Sequence, residues 1–310
     1  MLSILKPTDR GIKTSSHITE GCWVNLVAPS DEELQRIRTE LGVMEEFLRY
    51  PLDQEETSRV ETEDDQLLII VKIPDPQHKE SIIRFETIPL GIVLTKGCII
   101  TLCSHETPVL TDITATRGAL RLMHDQVHFI FTIFLRVANA YLRQLRLIDR
   151  LTDEYEEELQ RSLRNQELVK LFNLEKSLVY FNTSLKANDI VMARLKSGRY
   201  LPISEDNEDI LEDAQIENQQ AIEMAKIYSD ILSGMMDAYA SVISNNLNIV
   251  MKFLTSVTII LMLPNLVASI YGMNVALPLQ NSPHAFAVTM SIAFLLSLLV
   301  VFIFYKKKLF

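Results

Sequence analysis

The chain has 310 residues, with 40 acidic against 30 basic and 48% hydrophobic. Its mean hydropathy is slightly positive although 23% of its residues are charged, a mixture that fits a soluble part joined to a membrane part. No Asp or Glu follows Asp237, and Lys252, Lys306, Lys307 and Lys308 are the only Lys or Arg there. The first 237 residues therefore hold all 40 acids against 26 bases (30 less those four), a net of −14. So acidic a body argues against nucleic acid, whose phosphates need clustered Lys and Arg. It is compatible with cations as partners, and equally with ordinary solubilising charge.

The N-terminal MLSILKPTDR offers four apolar residues before Lys6-Pro7, too few for a signal-peptide core, so the soluble part is expected to stay in the cytoplasm. Cys22, Cys98 and Cys103 form no C-x-x-C pair and no even framework. They read as reduced, buried thiols. Alternating and all-apolar runs predict strands at Cys22–Val27, Gln66–Ile73, Ser81–Ile88, Gly91–Leu94 and Cys98–Leu102, with helices at Asp31–Leu41 and Val43–Leu48. Residues 1–110 are thus expected to form a cytoplasmic α/β sheet domain.

Residues 111–203 read as a helical hairpin region, roughly Thr111–Arg161 and Gln166–Arg194, ended by a break at Gly198–Pro202. The apolar stretch Phe129–Leu142 spans about 14 residues and contains Arg136, which makes it a core helix rather than a membrane span. His124 and His128 stand at metal-compatible i, i+4 spacing but lack an evident third ligand. The acidic run Asp153, Glu154, Glu156, Glu157, Glu158 is the pattern of a solvated helix face. There is no Gly-rich phosphate loop, no G-x-S-x-G and no zinc cage, so nothing here marks an enzyme or calls for an organic cofactor.

Ser204-Glu205-Asp206 reads as an N-cap followed by acids in the first turn. From there apolar residues recur at helical spacing to Val242. One helix from Ser204 to Tyr271 would be about 100 Å long at 1.5 Å per residue. It divides into a stalk (204–248) and a first transmembrane helix (249–271). A loop (272–284), a second transmembrane helix (285–305) and a basic tail (306–310) follow. Each span is about 20 residues, enough for a hydrocarbon core of roughly 30 Å. The lysines sit after the second span and none lies in the loop, which places both termini in the cytoplasm and the loop outside. Ser282-Pro283 reads as the N-cap and first helical position of the second span.

On a helical wheel Asn248, Met251, Leu254, Thr258, Met262, Asn265 and Ser269 fall within roughly a third of the circumference of the first span. Polar groups avoid lipid, so this face turns to protein or water. It suits a packed helix–helix interface, and it suits the wall of a pore. Two spans cannot enclose water alone, so a pore would need a ring of subunits. That ring would repeat the amides as collars, with Met251 and Leu254 as a greasy constriction. Gly272 permits the positive φ that ends a helix. The helix-end carbonyls and the Asn274 amide make a neutral, oxygen-rich mouth for a dication that keeps its water.

Tyr271-Gly272-Met273-Asn274 between two C-terminal spans, with the Lys-rich tail, resembles the CorA family of magnesium channels. The similarity extends upstream through Asp230–Asn248 and Met251-Lys252. The resemblance implies an α+β membrane protein: a cytoplasmic α/β domain, a helical region, a long stalk and pore helix, and two spans in a homopentamer embedded in lipid of the cell membrane. It implies magnesium as cargo, with cobalt, nickel or, in relatives with altered turns, zinc as alternatives. It makes Asn274 the selectivity residue, shaped by Gly272 and Met273. Asn248 becomes the inner amide ring; Met251, Leu254 and Met262 the hydrophobic gate; Thr258, Asn265 and Ser269 further pore lining. Asp213 becomes a carboxylate that senses cytosolic magnesium across a subunit boundary, with Asp75 as candidate partner. The loop VALPLQNSPH lacks the acids many relatives carry, and Ser269 stands where glycine is common. Outside this family, the same segments would suit a membrane-anchored interaction protein whose spans only dimerise.

Overall fold

The computed structural model describes residues 1–8, 11–75, 85–95, 97–115, 125–162, 165–275, 277–278 and 282–307. The chain divides into two compact units, Met1–Gly234 and Met235–Phe310.

The first unit is built on a seven-stranded sheet in the order β2-β1-β3-β7-β6-β5-β4. Its strands are β1 Leu2–Thr8, β2 Gly11–Ser15, β3 Cys22–Val27, β4 Arg59–Glu63, β5 Gln66–Pro74, β6 Thr87–Leu94 and β7 Cys98–Cys103. Only β3 and β7 pair in parallel; the other neighbours are antiparallel. The central strands are apolar on both sides because both faces are covered. On one face α1 (Asp31–Leu41) and α2 (Glu45–Arg49) pack Leu34, Ile37, Phe47 and Leu48 against Val24, Leu26, Leu68, Ile70, Ile100 and Leu102. Helix α1 begins with a capping box, Ser30 and Glu33 exchanging side-chain and backbone bonds, with three acids in its first turn.

The other face carries the hairpin of α4 (Gln126–Ser162) and α5 (Asn165–Lys196), which follow a short α3 (Pro108–Ala115). Trp23 meets Phe129 of α4 edge-on at 4.9 Å, and Tyr141 of α4 meets Phe181 of α5 at 5.1 Å. The indole of Trp23 donates to Thr101 Oγ1 at 2.8 Å, which donates in turn to Asn25 Oδ1. These polar groups are therefore satisfied where they are buried.

Several elements differ from expectation. The run read as Ser81–Ile88 and Gly91–Leu94 is one strand from Thr87, with residues 81–84 outside the described set; Pro89, a strand breaker by type, sits inside it. Strands β1, β2 and β4 were not expected, because their sequences LSILKPT, GIKTS and RVETE are too polar or too short to stand out. The expected helix Thr111–Arg161 is α3 and α4, with 116–124 outside the described residues. Asp125 starts α4, its carboxylate accepting from Val127 and His128 N–H at 2.9 and 3.0 Å.

Helix α6, Glu205–Tyr271, runs as expected from an N-cap at Ser204, whose carbonyl accepts from Asn207 and Glu208 N–H. Its first part belongs to the first unit, where Leu211, Ala214, Ala221 and Ala225 are buried. Its remainder and α7 (Ala285–Lys306) are the helices of the second unit. Both contain windows long and apolar enough to cross a membrane, with mean hydropathy 2.0 and 2.7.

Candidate ion pathway

Every member of the predicted stripe, from Asn248 through Met251, Leu254, Thr258, Met262 and Asn265 to Ser269, is exposed on α6. The covered face of the same stretch is marked by Ser256 at 4% and Val267 at 8% exposure, with Ile260, Leu263 and Tyr271 half-buried. At about 100° per residue these positions fall on roughly the opposite side of the helix from the stripe. On α7 the covered positions are Ala285, Thr289, Ala293, Ser297, Val300 and Phe304, three or four apart. Among the described residues the second unit holds only these two helices, so their covered faces are those turned toward each other. The polar stripe faces away from the chain's own second span.

The hydroxyls in this unit are partly satisfied along their own helices. Thr258 Oγ1 donates to the Leu254 carbonyl at 2.8 Å, and Thr289 and Ser297 do the same to Ala285 and Ala293 on α7. With its proton committed, Thr258 turns outward only oxygen lone pairs. Among the described residues no hydrogen bond engages the side chains of Asn248 and Asn265, and each is exposed, in a stretch with no Asp or Glu.

The turn departs from expectation in its detail. Gly272 does not adopt positive φ. Its N–H instead continues the helix by donating to Ala268 O at 2.9 Å, and Met273 N–H closes a tighter last turn on Ile270 O at 3.2 Å. A Cβ there would stand 3.3 Å from the Ala268 carbonyl oxygen, a tight contact that glycine avoids. Met273 and Asn274 follow, both exposed. Ser282 likewise lies two residues before its expected place. Helix α7 starts after His284, and Ser282 Oγ accepts from His284 N–H at 3.4 Å, capping the turn before the helix.

The two carboxylates read as sensors belong to the first unit. Asp213 is exposed on α6, between buried Leu211 and Ala214. Asp75 directly follows β5: its N–H donates to Glu86 O at 2.9 Å, and its carboxylate, largely buried, lies 3.9 Å from His105 Nδ1. His105 was not singled out in the sequence, since no spacing ties it to Asp75. His124 lies outside the described residues. His128 Nδ1 is 3.3 Å from Asn207 Oδ1, and Asn207 also bonds Asp125, so that ring is already part of a polar clasp between α4 and α6. Among the described residues no three His, Cys, Asp or Glu side chains converge as a metal cage.

A mixed sheet domain, a helical hairpin and a long helix running into the first of two apolar spans, with an uncovered polar face, fit an integral membrane protein. The family model for the CorA-like Mg2+ transporter proteins matches residues 19–307. The chain belongs to that family. It is 32% identical over 292 residues to the cobalt/magnesium transport protein CorA of Methanocaldococcus jannaschii, covering 92% of this chain and 90% of that one. A cobalt/magnesium transport protein CorA of Thermotoga maritima is 23% identical over the same span, covering 82% of its length. The complete structure of the M. jannaschii CorA magnesium transporter superposes with a TM-score of 0.83 at 27% identity, covering 99% of this chain and 98% of that one.

Proposed function

We propose that the chain forms a membrane channel for magnesium, with cobalt as a second cargo, in which five copies place the α6 stripes around an axial water path. One observation supports this most directly: a polar stripe in a membrane-length helix that the chain's own second span leaves uncovered. Left against lipid, its amides would each cost several kcal/mol. A ring of identical stripes places them on water instead. The exposed apolar residues Ile216, Ile227 and Ile231 on the earlier part of α6 are consistent with the same assembly, since each is more than half exposed in a single chain.

In this reading Asn274 and the carbonyls at the end of α6 hold the first hydration shell of the ion. Magnesium gives up water reluctantly, and neutral oxygens retain it without binding so tightly that release stops. Asn265, Thr258 and Asn248 then line the path. Met262, Leu254 and Met251 narrow it to a length of apolar wall that closes by losing its water. The lysine-rich tail supports a reading with both termini in the cytoplasm and the Gly-Met-Asn turn outside. Cytosolic magnesium bound at Asp213, with Asp75 of a neighbouring copy, favours the closed arrangement.

Asn274→Ala tests the mouth. In sealed proteoliposomes loaded with a magnesium-sensitive dye, the variant is expected to lose uptake while running at the same assembled mass as the parent. Full uptake by the variant overturns the reading. Competition by cobalt, nickel and zinc in the same vesicles sets the order of cargoes.

A further inference from the structure

Apart from transport, the sheet brings two thiols together that the sequence keeps 76 residues apart. Cys22 and Cys98 are the first residues of β3 and β7, the one parallel pair in the sheet, and they are register partners. Register partners in a parallel ladder point to the same face. Here that face is the one under α1, and Cys22 Sγ lies 3.0 Å from Cys98 Sγ. Neighbouring strands run about 4.8 Å apart, inside the Cα separation of about 4.4–6.8 Å that a disulfide accepts. The strand spacing therefore admits a bond, with the sulfurs closing from 3.0 Å. We propose that Cys22 and Cys98 are a modification site: a dithiol that a hydroperoxide converts into a reversible intrachain disulfide.

The chemistry closes with hydrogen peroxide as oxidant. The Cys22 thiolate attacks one peroxide oxygen, the O–O bond breaks and hydroxide leaves, giving a sulfenic acid. The Cys98 sulfur then attacks Cys22 Sγ. The S–S bond forms, the S–O bond breaks and water leaves with the Cys98 proton. Two thiols are oxidised by two electrons in all, and one peroxide is reduced to two waters. The hydrogen bond from Cys98 favours the thiolate of Cys22 over the opposing push of burial, and the same bond holds the proton on Cys98. Both thiols are 2% exposed, at the rim where the strands begin. Gly21 precedes one and Gly97 the other, bonded to each other through backbone. Local opening of this rim admits a small oxidant without unfolding the sheet. Cys103 is the internal control. It lies at the far end of β7, its sulfur 3.7 Å from the Pro89 carbonyl oxygen, and burial pushes its thiol up to about 11.

The purified full-length chain in detergent is reduced, freed of reductant, exposed to hydrogen peroxide, denatured and alkylated with N-ethylmaleimide. Labelling is expected to fall from three equivalents per chain to one. Peptide mass spectrometry is expected to find the Cys22 peptide joined to the Cys98 peptide, lighter by two hydrogens, and Cys103 alkylated. Dithiothreitol should restore all three. Cys103→Ser keeps the link, and Cys22→Ser abolishes it while leaving Cys98 open to alkylation. Cys22 and Cys98 recovered unlinked after peroxide, whether alkylated or further oxidised, or a link through Cys103 or between chains, overturns the assignment. The Cys103→Ser variant decides the matter even if Cys22→Ser does not fold.

Discussion

Two glycines show how a single hydrogen atom in place of a side chain decides local structure. Gly91 sits inside β6, paired with Ile70 on one side and Leu102 on the other, where its residue type ordinarily weakens a strand. Its reason is Pro51, in the 3-10 turn Tyr50–Leu52 that lies on the sheet: an added Cβ would fall 2.2 Å from the proline Cγ and 2.6 Å from its Cβ. Neither atom can yield without moving the turn. Gly91→Ala is therefore expected to destabilise the first unit by about 1–3 kcal/mol, the usual range for overpacking. Thermal unfolding of the purified chain should register it as a fall in Tm of roughly 2–4 °C for each kcal/mol. An unchanged Tm would mean that the turn shifts freely. Gly272 is a milder case. The contact there is 3.3 Å to one carbonyl oxygen, so the residue serves the tight last turn of α6 rather than a left-handed cap.

At the scale of elements, β4 and β5 show what a sequence displays and what it hides. Helices α1 and α6 and strands β3, β5 and β7 were legible because burial writes itself as apolar runs or helical spacing. Strand β4 was not, since RVETE is an edge strand whose outward residues stay charged. Its hairpin was hidden too. Asp64 and Asp65 both take positive φ (48° and 61°), the pattern of a type I′ turn, without the Asn-Gly or Asp-Gly that usually announces one. Because β4 begins at Arg59, opposite Ile70, Lys72 in β5 pairs with β6 on one side but has no strand on the other. Asn188 of α5 takes that place. Its Oδ1 accepts from Lys72 N–H at 2.9 Å and its Nδ2 donates to Lys72 O at 2.8 Å, while Ser58 Oγ donates to Oδ1 at 2.8 Å. An amide 116 residues away cannot be anticipated from spacing. Asn188→Ala removes two bonds to the Lys72 backbone, leaving its N–H on Ser58 Oγ and its carbonyl on the Tyr141 hydroxyl, and is expected to cost about 1–3 kcal/mol. Ser58→Ala, which removes one arm only, should cost less. Denaturant midpoints for the two variants check the order. The pathway divides in the same way. The stripe on α6 was legible because it follows the helical period, whereas the tight geometry at Gly272 and the nearness of His105 to Asp75 depend on the folded backbone.

For the molecule as a whole, the proposed channel raises the question of how a neutral pathway could answer to the concentration of its own cargo. The stretch from Ala238 onward has no Asp or Glu, so the proposed regulatory dication would bind elsewhere. The acids lie before it, with a net charge of −14 over the first 237 residues, and Asp213 is exposed on the same helix that carries the stripe. An exposed lone carboxylate binds magnesium poorly. Two carboxylates from neighbouring copies bind it better, and the ion then holds the copies in the arrangement that brings those groups together. Binding favours that arrangement only by the difference in affinity between the two states. Removing one carboxylate should therefore shift the magnesium response without altering the open pathway. In vesicles with buffered magnesium on the cytoplasmic side, Asp213→Ala is expected to need roughly tenfold more magnesium for half-inhibition, about 1.4 kcal/mol of lost linkage. Asp213→Lys, which adds repulsion, should need more still. Maximal uptake in both should match the parent, since neither touches the stripe. A variant with the parent's half-inhibition point removes Asp213 from the sensor. One that loses uptake altogether would place Asp213 in the pathway or the assembly instead.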